Sequence, residues 1–433
     1  MKTRDVVVRI DDISNRGYGV ARIGDINIEV PGAVPGEVLY IRLKKRGMGK
    51  ILKIVEPSPD RIYAPCPYAT LCGGCLWQDV RYSLQLKLKQ VIVERVFRNI
   101  KCDYEVRKIL ESPIVFGYRG KMEFIFCEGK RGLVVGLREF GMFDRVVDID
   151  ACWLQHPKAN MVLQEFKQKL ALLGYVPYNI VTHRGILRYL VIRTSFHTGD
   201  CIVNIITAPI KKFELSMLAE DTLADSVIWS VNGSLSDVAI GEIMDVFGAG
   251  YIVEEACGLL FKVYPYSFYQ SNPVQARNMF AMVKKYGGGG ERALDLYSGI
   301  GTIALIVAEN FGEVIGIEFE ESSVMAAREN ADLNGVNNVR FIRGKVENEL
   351  MKIGGSVDVV FVDPPRAGMH KRSLRALLDL APNRIVYISC NPRTQAEDVS
   401  VLVGNGYRLE FVQPIDMLPH TPHIESICVL HKE

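Results

Sequence analysis

The chain has 433 residues, more than one hydrophobic core serves, so two or three domains are expected. Its 48% hydrophobic and 24% charged residues are ordinary for a soluble globular protein, no apolar run approaches membrane length, and MKTRDVVV lacks a signal peptide's apolar stretch, so a cytoplasmic protein with no membrane contact is expected. The net charge of +2 singles out no partner, while ten cysteines in a long cytosolic chain argue for metal binding or catalysis over disulfides.

Residues 1–59 read as five short strands, VVVRIDD, GVARI, INIEVPG, EVLYIRLKK and KILKIVE, which suggests a small OB-like barrel. Its basic stretch RLKKRGMGK suits either a polyanion or a plain solvated hairpin. A cysteine-rich loop follows, CPYATLCGGCLWQ, with Cys66, Cys72 and Cys75 within ten residues. Three thiols this close need a fourth ligand, and Cys102, Cys127, Cys152 and Cys201 are the candidates. Spacing leaves zinc and iron–sulfur both open, since each accepts four thiolates. LQLKLKQVIVERVFRNI has helical periodicity. From about 115 to 265 the chain is strand-rich, with one helix near ANMVLQEFKQKLALLG. In that stretch YRGKMEF sets Arg119 and Lys121 beside aromatics, suited to phosphate contact and base stacking or to an amphipathic strand with a wet edge.

After GGGG at 287–290, which reads as a linker, strands and helices alternate. RALDLY, EVIGIE, VRFIRG, VDVVFVD and RIVYISC are strands, and IALIVAEN, SSVMAARENADLNG, SLRALLDLA and TQAEDVSVLVGNG are helices. The pattern predicts a doubly wound, Rossmann-like parallel sheet whose ligands lie beyond the strand ends. In the SGIGT loop, Gly299 and Gly301 permit a tight turn, and Glu318 closes the second strand where a carboxylate accepts ribose hydroxyls. GIGTIA also fits the dinucleotide pattern, so an NAD-linked iron–sulfur oxidoreductase competes with an S-adenosylmethionine enzyme.

VDPPR ends the fourth strand stiffly, with Arg366 where amino methyltransferases carry an aromatic. YISCNP ends the fifth and places Cys390 at the mouth of the sheet as a nucleophile. Near the C-terminus, PHTPHIES offers His423 and Glu425 in an apolar strand, with Glu425 as the base. A cysteine, a carboxylate and a methyl donor meet in one chemistry: a thiolate adds at carbon 6 of uracil, carbon 5 becomes nucleophilic, and a base later removes the carbon-5 proton. The target atom lies in the plane of the base, so the nucleotide must be unstacked.

With these motifs the chain resembles the RNA uridine-5-methyltransferases over essentially its whole length. VPGAVPGE resembles their TRAM RNA-binding barrel, and SFYQSN, DLYSGIGT, VDPPR, SCNP and T-x-H-x-E resemble their catalytic motifs in order. The resemblance implies that Gln270, Tyr297, Gly299, Glu318 and Asp363 meet S-adenosylmethionine, and that Cys390 and Glu425 are nucleophile and base. It also implies that Cys152 joins Cys66, Cys72 and Cys75 around a [4Fe–4S] cluster, as in the 23S ribosomal RNA branch. Leu418 and His420 depart from the family pattern and are expected to alter substrate contacts near the base. The expected organisation is a TRAM/OB-like barrel at 1–59, a central iron–sulfur and RNA-binding domain at 60–264, and a methyltransferase domain at 265–433, acting as a monomer. The helix near 83–100 is expected to pack on the last of these. The expected substrate is a uridine of 23S ribosomal RNA, with the tRNA T-loop second. A radical enzyme is disfavoured because a fourth ligand is available, and a non-catalytic RNA binder because the strand ends are intact.

Overall fold

A computed structural model describes residues 4–130 and 132–433. The chain divides into two compact units that interleave along the sequence. One combines the segment ending at Ala69 with Cys75–Ser112 and Asp363–Glu433; the other combines Thr70–Gly74 with Pro113–Val362. The units interleave because side chains far apart in sequence share one interior.

In the first unit the N-terminal residues form a curled six-stranded sheet. Its order is Asp5–Arg9, Val38–Lys44, Met48–Glu56, Ile26–Val30, Gly19–Ile23 and Asp12–Ile13, one short strand more than expected. Alternate residues, among them Val8, Ala21, Ile28, Val30, Leu39 and Ile41, turn inward to make its core. The sheet's exit is tied down by buried Glu37, which accepts from Arg61 Nε at 2.7 Å. The LQLKLKQ stretch is a helix, Tyr82–Phe97, in the same unit as the C-terminal segment. Buried Lys89 donates to Asp416 at 2.5 Å and to the Leu418 carbonyl at 3.1 Å, and Tyr82 donates to the other Asp416 oxygen at 2.7 Å. Arg384–Ser389 pairs antiparallel with Glu425–Lys432, which pairs antiparallel with Tyr407–Ile415.

In the second unit a seven-stranded sheet runs in the order Val146–Asp148, Gly132–Arg138, Lys121–Gly129, Leu187–Thr194, Cys201–Thr207, Ser226–Val231 and Glu242–Phe247. Helix Pro157–Leu173 covers it through Val162, Leu163, Phe166 and Leu170. The same unit holds four parallel strands, in the order Val339–Arg343, Phe311–Glu318, Gly290–Leu296 and Val359–Val362. Thr302–Val307 and Glu321–Leu333 are the helices that the alternation predicts after the first two of these in sequence. The strand order reverses beside Gly290–Leu296, and open α/β sheets bind ligands at such a point.

The glycine run is not a linker. Gly287 is the last residue of helix Pro273–Gly287, and Gly290 opens the next strand. A Cβ at Gly287 would lie 2.4 Å from the Phe361 ring, so the absence of a side chain lets helix and sheet close on each other.

The Lys89–Asp416 pair gives a test of the first unit. Lys89→Met leaves a carboxylate buried without its cation and should cost about 3–5 kcal/mol, whereas Lys89→Met with Asp416→Asn should recover much of that loss. Urea titrations of both variants check it; equal losses would mean that the pair has no coupling.

Candidate active site

The first unit brings Asp363, Arg366, Cys390, His423 and Glu425 together. Ser389 and Ser426 are directly paired across the antiparallel strands, so the next residue on each, Cys390 and Glu425, emerges at the same mouth. Buried Gln395 locks this register: its amide donates to the Tyr387 and Ser426 carbonyls at 2.8 and 3.2 Å and accepts from Ser426 Oγ at 2.6 Å. Asn391 caps helix Pro392–Val403, accepting from Arg393 N, and its amide donates to the Arg366 carbonyl at 2.9 Å. The VDPPR turn is thus stitched to the SCNP turn.

Glu425 is 5% exposed and Cys390 is half-buried. Burial pushes the Cys390 thiol up; Glu425 and Asp363 add to this, while Arg366 pulls the other way by charge and hydrogen bond. Burial raises Glu425 well above an ordinary carboxyl, with Asp363 pushing the same way and Arg366 opposing. Asp363 is itself pushed up to about 7 by burial. A carboxyl raised towards neutrality accepts a proton far better than an exposed one. His423 is exposed, and its Nδ1 lies 2.8 Å from Arg366 Nη2. That lone pair is committed to the guanidinium.

Arg366 is the residue that sequence reasoning undervalues. In the motif it reads as a missing aromatic, yet it is the cation beside the thiol. The charge type is visible in VDPPR; that the turn folds back onto SCNP is not. The departures at 418 and 420 also look inward. His420 is buried, with φ +67°; its N–H donates to Gln85 Oε1 at 2.8 Å and its carbonyl accepts from Trp77 N at 3.0 Å. Leu418 accepts from Lys89. Through these main-chain groups the stretch is held to helix Tyr82–Phe97.

In the second unit the SGIGT loop follows Gly290–Leu296, with Tyr297, Gly299 and Gly301 at φ +63°, +54° and +82°. At Gly301 a Cβ would meet the Phe341 ring at 2.6 Å. Gly299 N–H donates to Glu318 at 3.0 Å, and the other Glu318 oxygen accepts from Glu320 N at 2.8 Å. Both carboxylate oxygens keep further lone pairs for ribose hydroxyls. Ser298 Oγ is buried in the same loop and finds no hydrogen-bond partner among the described residues. Half-buried Gln270 lies in the turn before helix Pro273–Gly287. These residues fit the adenosyl and ribose groups of S-adenosylmethionine. Asp363 lies within electrostatic reach of Cys390 and Glu425.

Among the described residues, no group of three or more His, Cys, Asp or Glu side chains is placed to hold a metal ion. Gln78 Oε1 accepts from Cys66 N at 2.9 Å and its amide faces Cys75 Sγ at 3.5 Å. Gly74 N–H faces Cys72 Sγ at 3.3 Å, and Cys152 N–H donates to Asn160 at 2.8 Å.

A strand-end cysteine beside a raised carboxyl, on an α/β fold with a glycine-rich loop and a ribose-type carboxylate, defines a nucleotide-cofactor methyltransferase class. The tRNA (uracil-5-)-methyltransferase family matches residues 253–433. An uncharacterized RNA methyltransferase of Caldanaerobacter subterraneus subsp. tengcongensis is 37% identical over 99% of this chain and 98% of its own. One from Halalkalibacterium halodurans is 36% identical over 98% and 97%. The crystal structure of the Pyrococcus abyssi tRNA (uracil-54, C5)-methyltransferase in complex with S-adenosyl-L-homocysteine superposes with a TM-score of 0.80 at 31% identity, covering 99% of this chain and 100% of that one. The chain belongs to the RNA uracil-5-methyltransferase family, and its reaction class is S-adenosylmethionine-dependent methylation of RNA uracil at carbon 5. Among the described residues no helix is long and apolar enough to cross a membrane.

Arg366 provides the test. Removing a cation beside a thiol disfavours the thiolate, so Arg366→Gln should move the pH profile of Cys390 alkylation to higher pH, and Arg366→Lys should move it less. Iodoacetamide labelling against pH, read by mass spectrometry, checks this. Coincident profiles for all three proteins would remove Arg366 from thiolate control.

Proposed function

We propose that the protein methylates a specific RNA uridine by covalent catalysis, with Cys390 as nucleophile and Glu425 as general base. The observation that carries this reading is the Ser389–Ser426 register, which sets the thiol and the buried carboxyl at one strand-end mouth. The Cys390 thiolate, favoured by Arg366, adds to carbon 6 of the uracil. Bound S-adenosylmethionine supplies the methyl group as a sulfonium. Carbon 5 takes that methyl as its bond to sulfur breaks. Glu425 then takes the carbon-5 proton, and the electron pair of that C–H bond restores the ring double bond as the thiolate leaves. Asp363 keeps Glu425 proton-hungry, and His423 orients Arg366. Gln270, Tyr297, Gly299 and Glu318 hold the cofactor.

Two substrates have separate support. The three-cysteine spacing and the N-terminal sheet resemble the 23S ribosomal RNA branch, which supports a 23S uridine. The full-length likeness to a tRNA uracil-54 enzyme supports the T-loop uridine as a second reading. Mapping of 5-methyluridine by mass spectrometry in ribosomal and transfer RNA, with and without the gene, decides between them. The iron–sulfur reading of Cys66, Cys72, Cys75 and Cys152 rests on sequence spacing and resemblance. It expects brown, anaerobically purified protein with about four iron atoms per chain, lost in Cys152→Ala and kept in Cys102→Ala. One zinc and no iron would end it.

The two catalytic roles act at successive steps, so their variants should fail differently. Cys390→Ala should transfer no methyl group and form no RNA adduct. Glu425→Gln should add and methylate, then stall, and accumulate a methylated RNA–protein adduct that survives denaturing electrophoresis. Substrate RNA with fluorine at carbon 5 should trap the wild-type protein in the same way. Near-normal transfer by Cys390→Ala would overturn the covalent mechanism.

A further inference from the structure

A cavity of about 910 Å³ opens within the second unit, with Ser267, Phe268, Tyr269 and Ser271, the neighbours of Gln270, along one side. Its floor is cationic by construction. Lys121 and Arg193 are directly opposed on antiparallel strands, and Arg119 lies two residues before Lys121. Like charges facing each other across a sheet cost stability. Glu123 offsets part of this cost by pairing with Lys121 at 2.8 Å, and Arg193 is also within reach of buried Glu254. Burial and the neighbouring Arg193 and Arg119 still push the Lys121 ammonium down. Such a cluster is relieved by an anion.

Two buried polar atoms of the lining await a partner. Arg193 is 4% exposed; its Nη2 donates to the Ser267 carbonyl at 2.7 Å, but its Nε has no hydrogen-bond partner among the described residues. Tyr269 is 7% exposed, lines the same cavity, and its hydroxyl is equally without one. Buried donors left unmade cost free energy unless a ligand or water takes them. The rim differs in character. Phe140 and Phe143, 46% and 67% exposed, stand on the turn after strand Gly132–Arg138, and Phe140 N–H is held by the Leu71 carbonyl at 2.8 Å.

We propose that this cavity is a second nucleotide site for the substrate RNA: it holds an unpaired nucleotide that flanks the methylated uridine, with phosphate on Arg119, Lys121 and Arg193 and base against Phe140 and Phe143. The proposal rests on the RNA uridine-5-methyltransferase reading above. Cations beneath exposed aromatics are what single-stranded RNA requires, since the backbone needs charge and an unstacked base needs a flat apolar face. A small anion would use the floor and leave the exposed rings without function. A double helix would offer no free base face to them. The site therefore selects an opened loop, and would help keep the target strand unstacked.

The test uses the full-length protein and a single-stranded RNA oligonucleotide carrying the mapped uridine, with affinity measured by fluorescence anisotropy across a salt series. Arg119→Gln with Lys121→Gln should weaken binding on the order of tenfold or more and flatten the log–log salt dependence by about 0.7 for each phosphate no longer neutralised. Phe140→Ala with Phe143→Ala should weaken binding roughly tenfold and leave the salt slope unchanged. Both proteins should bind S-adenosylhomocysteine like wild type by calorimetry, which establishes that they fold. If the charge variant fails that control, the exposed ring pair decides alone. Unchanged RNA affinity in the ring variant overturns the nucleotide site. Inorganic phosphate that competes at the floor while RNA affinity is indifferent to both variants would make the cavity a small-anion site and overturn it as well. A wild-type protein that methylates no RNA uridine would instead sink the function proposed above, which keeps the two failures distinct.

Discussion

Two strands running in opposite directions bring Cys390 and Glu425 together, and their register is the constraint on which the candidate site depends. Because Ser389 pairs with Ser426, the Cys390 thiol that follows one strand and the Glu425 carboxyl that begins the other face the same mouth. A one-residue slip would send one of them to the opposite face of the sheet. Gln395 holds that register from below with bonds to both strands. The same burial that makes Glu425 a strong proton acceptor makes Cys390 a reluctant thiolate, and Arg366 offsets the second effect without abolishing the first.

The loop that leads to Glu425 depends on a distant helix. Gln85 accepts from His420 N–H and donates to the Trp77 carbonyl, while Lys89 neutralises Asp416 in a dry interior. Burying a lysine is expensive unless it is paired, and here the pair is further braced by Tyr82. Such a network contributes little net stability but admits few alternative loop conformations.

The glycine-rich SGIGT loop is built by steric exclusion. Gly301 sits against the Phe341 ring with no room for a Cβ, and Gly299 lends its N–H to Glu318. The carboxylate is therefore positioned by the very turn it follows in space, nineteen residues away in sequence. The four-glycine run obeys the same logic at Gly287, where composition suggested freedom and the Phe361 ring permits none.

Sequence by itself determined what is local or periodic. The alternation of strands and helices, the glycine-rich loop, the cysteine at a strand end and the carboxyl in an apolar strand all depend on neighbouring residues, and each stands where the pattern placed it. Tertiary structure alone decided which distant groups share a dielectric environment. Arg366 became the thiol's cation, Asp363 came to raise the Glu425 carboxyl, and His420 turned inward, because turns remote in sequence were brought into contact. The compact units interleave for the same reason: burial depends on distance in space, and a sheet pairs strands without regard to their separation along the chain.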